Sequence, residues 1–590
     1  MWQRTSSGQR WALVVALGAL LLVAIDIWWF LTYRDGFPLN VDEAGYTTIG
    51  VVDYLGLKGG GLHGWWEAIQ TQTPNAPLLP ALTSVLLLIK PGVLTGFAAL
   101  AGFIVVLAFA SYGTGERLAG PRLGALAALV TAALPGTIIF AREYVFALPT
   151  AALLACAVCA LLRSDALRLR RWAIACGVAL GLMLLARTMA VAFVPGVLVA
   201  AGVTALARGQ SDYRNRLLNL GLLLLSGAAV AATWYWRNLQ PVLDYLTNYG
   251  YGNESKFYGA EHSLLSWAKL HTVAEKMVFD DFLVPIAALL FIGLVAIAVV
   301  AVRRVLDSED RRRELLRLAG SDALTVLIVV LAGYAALTSS QNGGNGFTLP
   351  ISVLLPPLAV IALRLFRRVT IPVVALLGLV TALNLTATST LWDDVSKPRL
   401  VEVPGFGEMP WVGGIPHTVG AIRVQVPGSL SHFDERDHGW TQIDGELAAE
   451  VESLGSADLP PVTAFASRNR VISSNSVGLA AVLKAHRGIP FAQLNAEPND
   501  SVATYRHELS APEFGLPTVL ITMSRNTDDF PPLVTQSYAV TAARELGFRK
   551  VRRFELPDGR SLYVWQKDAP KTASAAAPAA ASSAPGSPPG

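Results

Sequence analysis

The sequence predicts an α-helical polytopic membrane protein that carries an α/β domain outside the membrane at its C-terminal end. Three observations predict it. The 590 residues are 53% hydrophobic and only 15% charged, where a soluble chain averages about 25% charge. Apolar runs near the ~20 residues needed to cross a bilayer recur up to about residue 388. Beyond that point the pattern changes to strand-like and helix-like stretches in alternation, as in an α/β domain.

The first run, 11–32, follows Arg4 and Arg10 and has no small-residue cleavage site after it, so it reads as an uncleaved span. Further runs lie at 94–111, 123–140, 145–162, 172–187, 189–207, 217–236, 283–302, 322–338, 350–366 and 371–388, which makes eleven expected spans. The run 77–89 is shorter and opens with Pro77 and Pro80. If it crossed the membrane, the basic loops after it would change sides. Read instead as re-entrant or interfacial, it leaves the N-terminus and loops 113–122, 163–171, 208–216, 303–317 and 364–368 all cytoplasmic, as the positive-inside rule demands. Segments 33–76, 141–144, 187–188, 237–282 and 339–349, and everything after 389, then face the exterior. The expected domains are 1–388 in the membrane, 389–568 as the extracytoplasmic α/β domain, and 569–590 as a disordered Ala/Pro/Ser-rich tail. Strands are expected at 462–466, 518–523, 549–555 and 561–565, and helices at 443–454, 474–485 and 535–546.

Net charge is small, at +4, and gives no reason to expect a nucleic-acid partner. Cys156, Cys159 and Cys176 all fall in apolar segments, which argues against disulfides and against a Cys-ligated zinc site. No Gly-x-x-x-x-Gly-Lys-Ser/Thr loop or dinucleotide fingerprint is present on the outer side to hold a soluble nucleotide.

The unusual polar residues concentrate in the external loops. Asn40-Val41-Asp42-Glu43-Ala44-Gly45-Tyr46 places two carboxylates directly after the first span, where ionised groups near lipid suggest function. The plainer reading is a helix cap formed by Asp42. Trp65 and Trp66 suit interfacial helices. His63 and Glu67, at i and i+4, could bind a metal, although a solvated pair explains them as well. Arg142-Glu143-Tyr144 sits between two apolar runs with no room for a loop. Its Arg either grips a phosphate bidentately or only flanks the helices. Arg187 is a lone charge at a span end, a phosphate ligand or a snorkelling side chain. Arg237, Asn238, Lys256 and Tyr258 belong to a Tyr/Asn/Gly-rich stretch suited to stacking on and hydrogen-bonding sugars. Residues 339–346 form either an anion-binding backbone nest or a turn.

These residues resemble a known family. Asp-Glu-Ala-x-Tyr after the first span, a Pro-Leu run opening the next apolar segment, and an Arg before a Pro-containing helix are similar to the GT-C membrane glycosyltransferases. The nearest patterns are those of the protein O-mannosyltransferase-like proteins (glycosyltransferase family 39) and the lipid A aminoarabinose transferases. The resemblance covers about residues 10–390. It implies that a sugar passes, with inversion, from a polyprenyl-phosphate donor to an extracytoplasmic acceptor (glycan, lipid or protein), without a nucleotide. It makes Asp42 the base, with Glu43 beside it, and Arg142 the phosphate ligand; Glu143 is a further catalytic candidate in place of the family's second Asp, and Arg187, Arg237 and Lys256, by their own charge and position, are further phosphate-binding candidates. Tyr46, Tyr144, Asn238 and Tyr258 then contact sugar or acceptor. No cofactor is implied with certainty; a divalent metal is left open and no ligands are assigned to it. The chain departs from the family at Ala147, where a second Asp is common, and at Thr73-Pro74-Asn75-Ala76, where aminoarabinose transferases carry acidic and Lys residues. The composition fits a bacterial inner membrane. The competing class is a transporter or flippase of lipid-linked sugars, which would place ionisable groups at the bilayer midplane within repeated halves.

Overall fold

The structure, a computed structural model, describes residues 6–34, 39–71, 73–208, 212–252, 255, 263–344, 346–389, 399–412, 439–455, 461–467, 469, 471–486, 488–494, 500–512, 515–524, 534–557 and 559–567. The expected tail 569–590 lies outside them. The chain divides into two compact units. The first takes Met1–Thr32, Pro74–Leu79 and Phe97–Thr418; the second takes Tyr33–Thr73, Pro80–Gly96 and Val419–Gly590.

The first unit is a helical bundle. Among the described residues, helices Gly8–Thr32, Thr95–Ala119, Thr188–Arg208, Tyr213–Gly250, Trp267–Leu306 and Arg367–Thr388 are long and apolar enough to cross a membrane. Two bent pairs, Pro121–Ala132 with Pro135–Ala141 and Arg311–Ala319 with Asp322–Thr338, raise the number to eight if each pair is one span. The other three expected spans form Ala147–Arg163, Arg170–Ala186 and Leu349–Leu365. At 1.5 Å per residue each is about 25 Å long, short of the ~30 Å hydrocarbon thickness. Polar boundaries, Arg142 to Tyr144 and Arg187, stop two of them early.

Helix Arg170–Ala186 meets Tyr213–Gly250 through Gly177 and Gly181, four residues apart. A methyl group at Gly177 would lie 2.1 Å from the Leu223 carbonyl oxygen, so only glycine allows the two backbones to approach this closely. At one end of the bundle Arg117 bonds Asp322 (2.8 Å), Arg208 bonds Asp322 (2.6 Å) and Asp165 (3.4 Å), and Arg168 pairs with Asp212 (3.3 Å). Tyr112 at the same end donates to the Gly8 carbonyl. The N-terminal segment and loops 113–122, 163–171 and 208–216 thus share one end, as the charge pattern expects. A two-stranded antiparallel sheet, β1 (Arg399–Val403) and β2 (Gly407–Val412), completes this unit.

Arg142 is fully enclosed at the opposite end. Its Nε donates to Asp26 Oδ1 (2.6 Å), Nη1 to the Thr388 carbonyl (2.6 Å) and Nη2 to Ser389 Oγ (2.7 Å). The guanidinium lies over the Trp29 ring at 4.4 Å. One side chain therefore ties the first helix, the junction at 142 and the last helix of the bundle together.

The second unit holds two parts. One is the helical segment Val41–Ile69, broken at Gly61, with the ten-residue helix Leu78–Leu87, about 15 Å long and far too short to cross a bilayer. Trp65 Nε1 donates to Ser84 Oγ (2.8 Å) and joins them. The other is a five-stranded mixed sheet in the order β4-β3-β5-β7-β6, where β3 is Thr463–Phe465, β4 Phe491–Gln493, β5 Val519–Met523, β6 Phe548–Glu555 and β7 Ser561–Lys567. Parallel pairing joins β3 to β4 and β5; β7 is antiparallel to both β5 and β6. Helices Gly439–Ser453 and Ser474–Ala485 cover one face of the core with Phe465, Ile521 and Val564, and Val502–Ser510 and Gln536–Glu545 cover the other with Leu520 and Trp565. The four expected strands and three expected helices are present; β4 and Val502–Ser510 are additions, three and nine residues long.

Removing Arg142 alone strands Asp26 in an apolar interior. Arg142→Ala is expected to cost about 3–5 kcal/mol of stability. Thermal unfolding in detergent should show part of that loss recovered in the Asp26→Ala/Arg142→Ala double variant, in which no buried charge is left without its partner.

Candidate functional site

Each unit carries a constellation of its own. In the second unit, helix Val41–Ile69 starts at Asn40, not at Asp42. Asn40 Oδ1 accepts from the backbone N–H of Asp42 and of Glu43, both at 3.0 Å, and Glu43 Oε2 accepts from the Asn40 N–H at 3.0 Å. This reciprocal capping box satisfies three N–H donors at the helix start, those of Asn40, Asp42 and Glu43, and engages the buried Glu43. Asp42 contributes only its backbone N–H to the box, and its half-buried carboxylate stands in the first helical turn, where the helix dipole favours negative charge. The two neighbouring carboxylates thus have different work: Glu43 builds the turn and Asp42 is carried by it. Tyr46 is half-buried one turn on.

Three turns after Asp42, Asp53 is buried, and neither of its oxygens has a hydrogen-bond partner among the described residues. Burial pushes its carboxyl up to about 8. His63 and Glu67 are 3.3 Å apart and exposed. Among the described residues no group of three or more His, Cys, Asp or Glu converges, so no metal ligands are assigned.

In the first unit, cations gather on loop 339–347. Lys269 Nζ donates to the Gln341 carbonyl (3.2 Å) and Lys276 Nζ to the Gly343 carbonyl. Arg187 Nη1 donates to the Gly346 carbonyl (3.4 Å), with its guanidinium 3.8 Å above the Phe347 ring. The loop therefore turns carbonyls toward the cations, the reverse of an anion nest. Ser255 Oγ bonds Gln341 Oε1 (2.5 Å), and the Gln341 N–H reaches the Gly250 carbonyl (3.2 Å), which anchors the loop to the end of helix Tyr213–Gly250. Lys269 is buried and Lys276 half-buried. Desolvated ammonium groups with further donor capacity suit a multiply charged oxyanion. Further along the same helical segment Asp281, fully buried, accepts from Ser352 Oγ (2.6 Å).

The other expected site residues fall variously. Arg142 is enclosed by the partners described above. Glu143 is half-buried next to it. Tyr144 is wholly buried against Phe97, ring centroids 5.7 Å apart. Arg237 and Asn238 were expected in a loop after residue 236, but helix Tyr213–Gly250 continues through them and through Pro241. Arg237 is exposed on that helix, and Asn238 is buried and donates to the Trp234 carbonyl (3.2 Å). As far as Gly250, the Tyr/Asn-rich sequence that suggested a loop continues the helix. Lys256 and Tyr258 lie outside the described residues. Sequence reading passed over Asp26, Lys269 and Lys276. Asp26 is the one ionisable residue within its apolar run, a signal that was there to be read.

Helices of spanning length, shorter helices and a mixed sheet near the C-terminal end make up a membrane-protein fold of GT-C type. No family model and no curated protein sequence matches the chain. Among solved structures it is similar to ArnT from Cupriavidus metallidurans bound to undecaprenyl phosphate, with a TM-score of 0.53 and 14% identity over 95% of this chain and 98% of that one. The apo state of ArnT gives a TM-score of 0.51 at the same identity and coverage. The archaeal oligosaccharyltransferase AglB from Archaeoglobus fulgidus, in complex with an inhibitory peptide and a dolichol-phosphate, gives 0.51 at 14% identity over 94% of this chain and 74% of that one.

Asp53 yields a pH prediction. Below its ordinary value of 3.8 the carboxyl is protonated whether the chain is folded or not. From there up to about 8 the folded state keeps a proton that the unfolded state releases, so stability falls as pH rises through that window. Thermal unfolding from about pH 5 to about pH 8 should show Asp53→Asn gaining steadily over the wild type; parallel curves would show that Asp53 is not held protonated.

Proposed function

We propose that the chain is a glycosyltransferase of the extracytoplasmic membrane surface that moves a sugar, hexosyl or pentosyl, from a polyprenyl-phosphate donor to an envelope glycan, lipid or protein. The observation that carries this reading is the likeness in fold, over nearly the full length of both chains, to a protein bound to undecaprenyl phosphate. The N-terminus is cytoplasmic in this reading, the membrane is a bacterial inner membrane, and the soluble region begins at about residue 389.

Asp42 is the general base. As the acceptor hydroxyl or amine attacks the anomeric carbon, its proton passes to the Asp42 carboxylate. The bond from that carbon to the donor phosphate breaks, and its electron pair leaves with polyprenyl phosphate. A single displacement of this kind inverts the anomeric centre. Lys269, Lys276 and Arg187 neutralise the departing phosphate, a role for which Arg237 and Lys256 are further candidates. Arg142 keeps a supporting part, because three of its N–H donors are engaged inside the bundle. Glu143, beside it, and Tyr46, Tyr144, Asn238 and Tyr258 are retained as proposals for proton handling and for sugar or acceptor contacts.

Purified protein offered labelled polyprenyl-phosphate sugars and crude envelope should release polyprenyl phosphate. Asp42→Asn is expected to lower the rate by about 10²–10⁴ while leaving the fold intact. Lys269→Ala and Lys276→Ala should each raise the donor KM by roughly 10- to 100-fold, the worth of a hydrogen bond to a charged group. Wild-type protein that binds the lipid yet releases nothing would move the reading to transport.

A further inference from the structure

The peptide plane between Val41 and Asp42 is held at both ends. Its N–H, that of Asp42, donates to Asn40 Oδ1 (3.0 Å). Its carbonyl, that of Val41, accepts from Asn475 Nδ2 at 2.7 Å. Asn475 lies in the first turn of helix Ser474–Ala485, more than four hundred residues along the chain and part of the α/β fold. That helix start is itself fixed. Ser473 and Ser476 form a capping box, and Ser476 Oγ donates to the buried Asp444 at 2.9 Å. The approach is close because residue 45 is glycine: a methyl group there would lie 2.8 Å from Asn475 Nδ2 and 3.2 Å from its Cγ.

We propose that Asn475 is a positioning residue for the Asp42 carboxylate, so that the α/β region is a working part of the transferase and not an appendage to it. The proposal rests on the reading of Asp42 as the base. Pinning the carbonyl and the N–H of one peptide fixes the direction of the Cα–Cβ bond of Asp42 and narrows the arc its carboxylate can sweep. Small errors in the placement of a catalytic group are costly in rate, which gives the clamp its effect. Gly45 is the gap that admits the Asn475 amide.

The test uses the full-length protein and labelled polyprenyl-phosphate sugar. Asn475→Ala should lower kcat by roughly 10- to 100-fold with little change in donor KM. Asn475→Asp, of the same size but with an acceptor set against the Val41 carbonyl, should lose at least as much. In an Asp42→Glu background, where the carboxylate is already displaced, removing Asn475 should cost clearly less, because the two residues act as one unit. A role confined to stability would lower the unfolding midpoint and leave kcat of the folded fraction unchanged. If Asn475→Ala protein does not fold, Gly45→Ala serves instead, since its methyl pushes the amide off Val41 while the α/β core is untouched. An inactive Asp42→Asn beside Asn475 and Gly45 variants with wild-type kcat would overturn the clamp and leave the base assignment standing. An active, folded Asp42→Asn would overturn both.

Discussion

A carboxylate and a guanidinium, both withdrawn from solvent, fix one end of the helical bundle. Asp26 is the one charge within the apolar run of the first helix, and it can be kept there only because Arg142 meets it at 2.6 Å. Two more of its N–H donors go to the Thr388 carbonyl and Ser389 Oγ, so the first and last helices are drawn to the same junction. Trp29 covers the ion pair. Satisfying a buried charge in a bundle is geometrically demanding, and the arrangement sets where three helices end. The opposite end of the bundle is held by charges as well, but through the partly exposed Arg117–Asp322–Arg208–Asp165 network, in which each pair is worth far less.

This division of labour among arginines explains why sequence pattern alone put Arg142 first among the phosphate ligands. An Arg at a membrane boundary reads the same whether it faces a ligand or a buried Asp. What separates the two is a partner 116 residues away, on an element the local pattern does not mention. Lys269 and Lys276 were passed over for the opposite reason. They stand in an ordinary amphipathic stretch, and only the folding of loop 339–347 across helix Trp267–Lys276 gives them a shared environment.

The architecture was largely legible. Apolar run length located the helices, and strand–helix alternation located most of the sheet, because both signals are local and repeat with a fixed period. The parity argument that withheld span status from 77–89 was legible as well, and Leu78–Leu87 is indeed too short to cross. Helix ends were less so. Tyr213–Gly250 runs through Arg237, Asn238 and Pro241 because nothing in that stretch offers the backbone a better alternative, and an aromatic-rich composition does not by itself end a helix. At the acidic turn the sequence supplied both readings, a cap and a functional group. The structure assigns capping to Asn40 and Glu43, so the neighbouring carboxylates no longer compete for one explanation.

That separation bears on the carboxylate proposed as the base. A free acidic side chain in a flexible loop would be solvated and mobile, a poor base for a single hydroxyl. Here the Asn40 and Glu43 side chains satisfy the N–H groups of Asn40, Asp42 and Glu43, so Asp42 is not drawn into capping them. The positive end of the helix favours its ionised form, and the backbone that carries it is gripped from the far end of the chain by Asn475. Each device is modest alone: a cap is worth about 1 kcal/mol and a neutral hydrogen bond about the same. Their convergence on one peptide plane concerns placement more than stability. A helix start can be made with far fewer contacts, and the surplus is what points to Asp42 as the residue whose position matters.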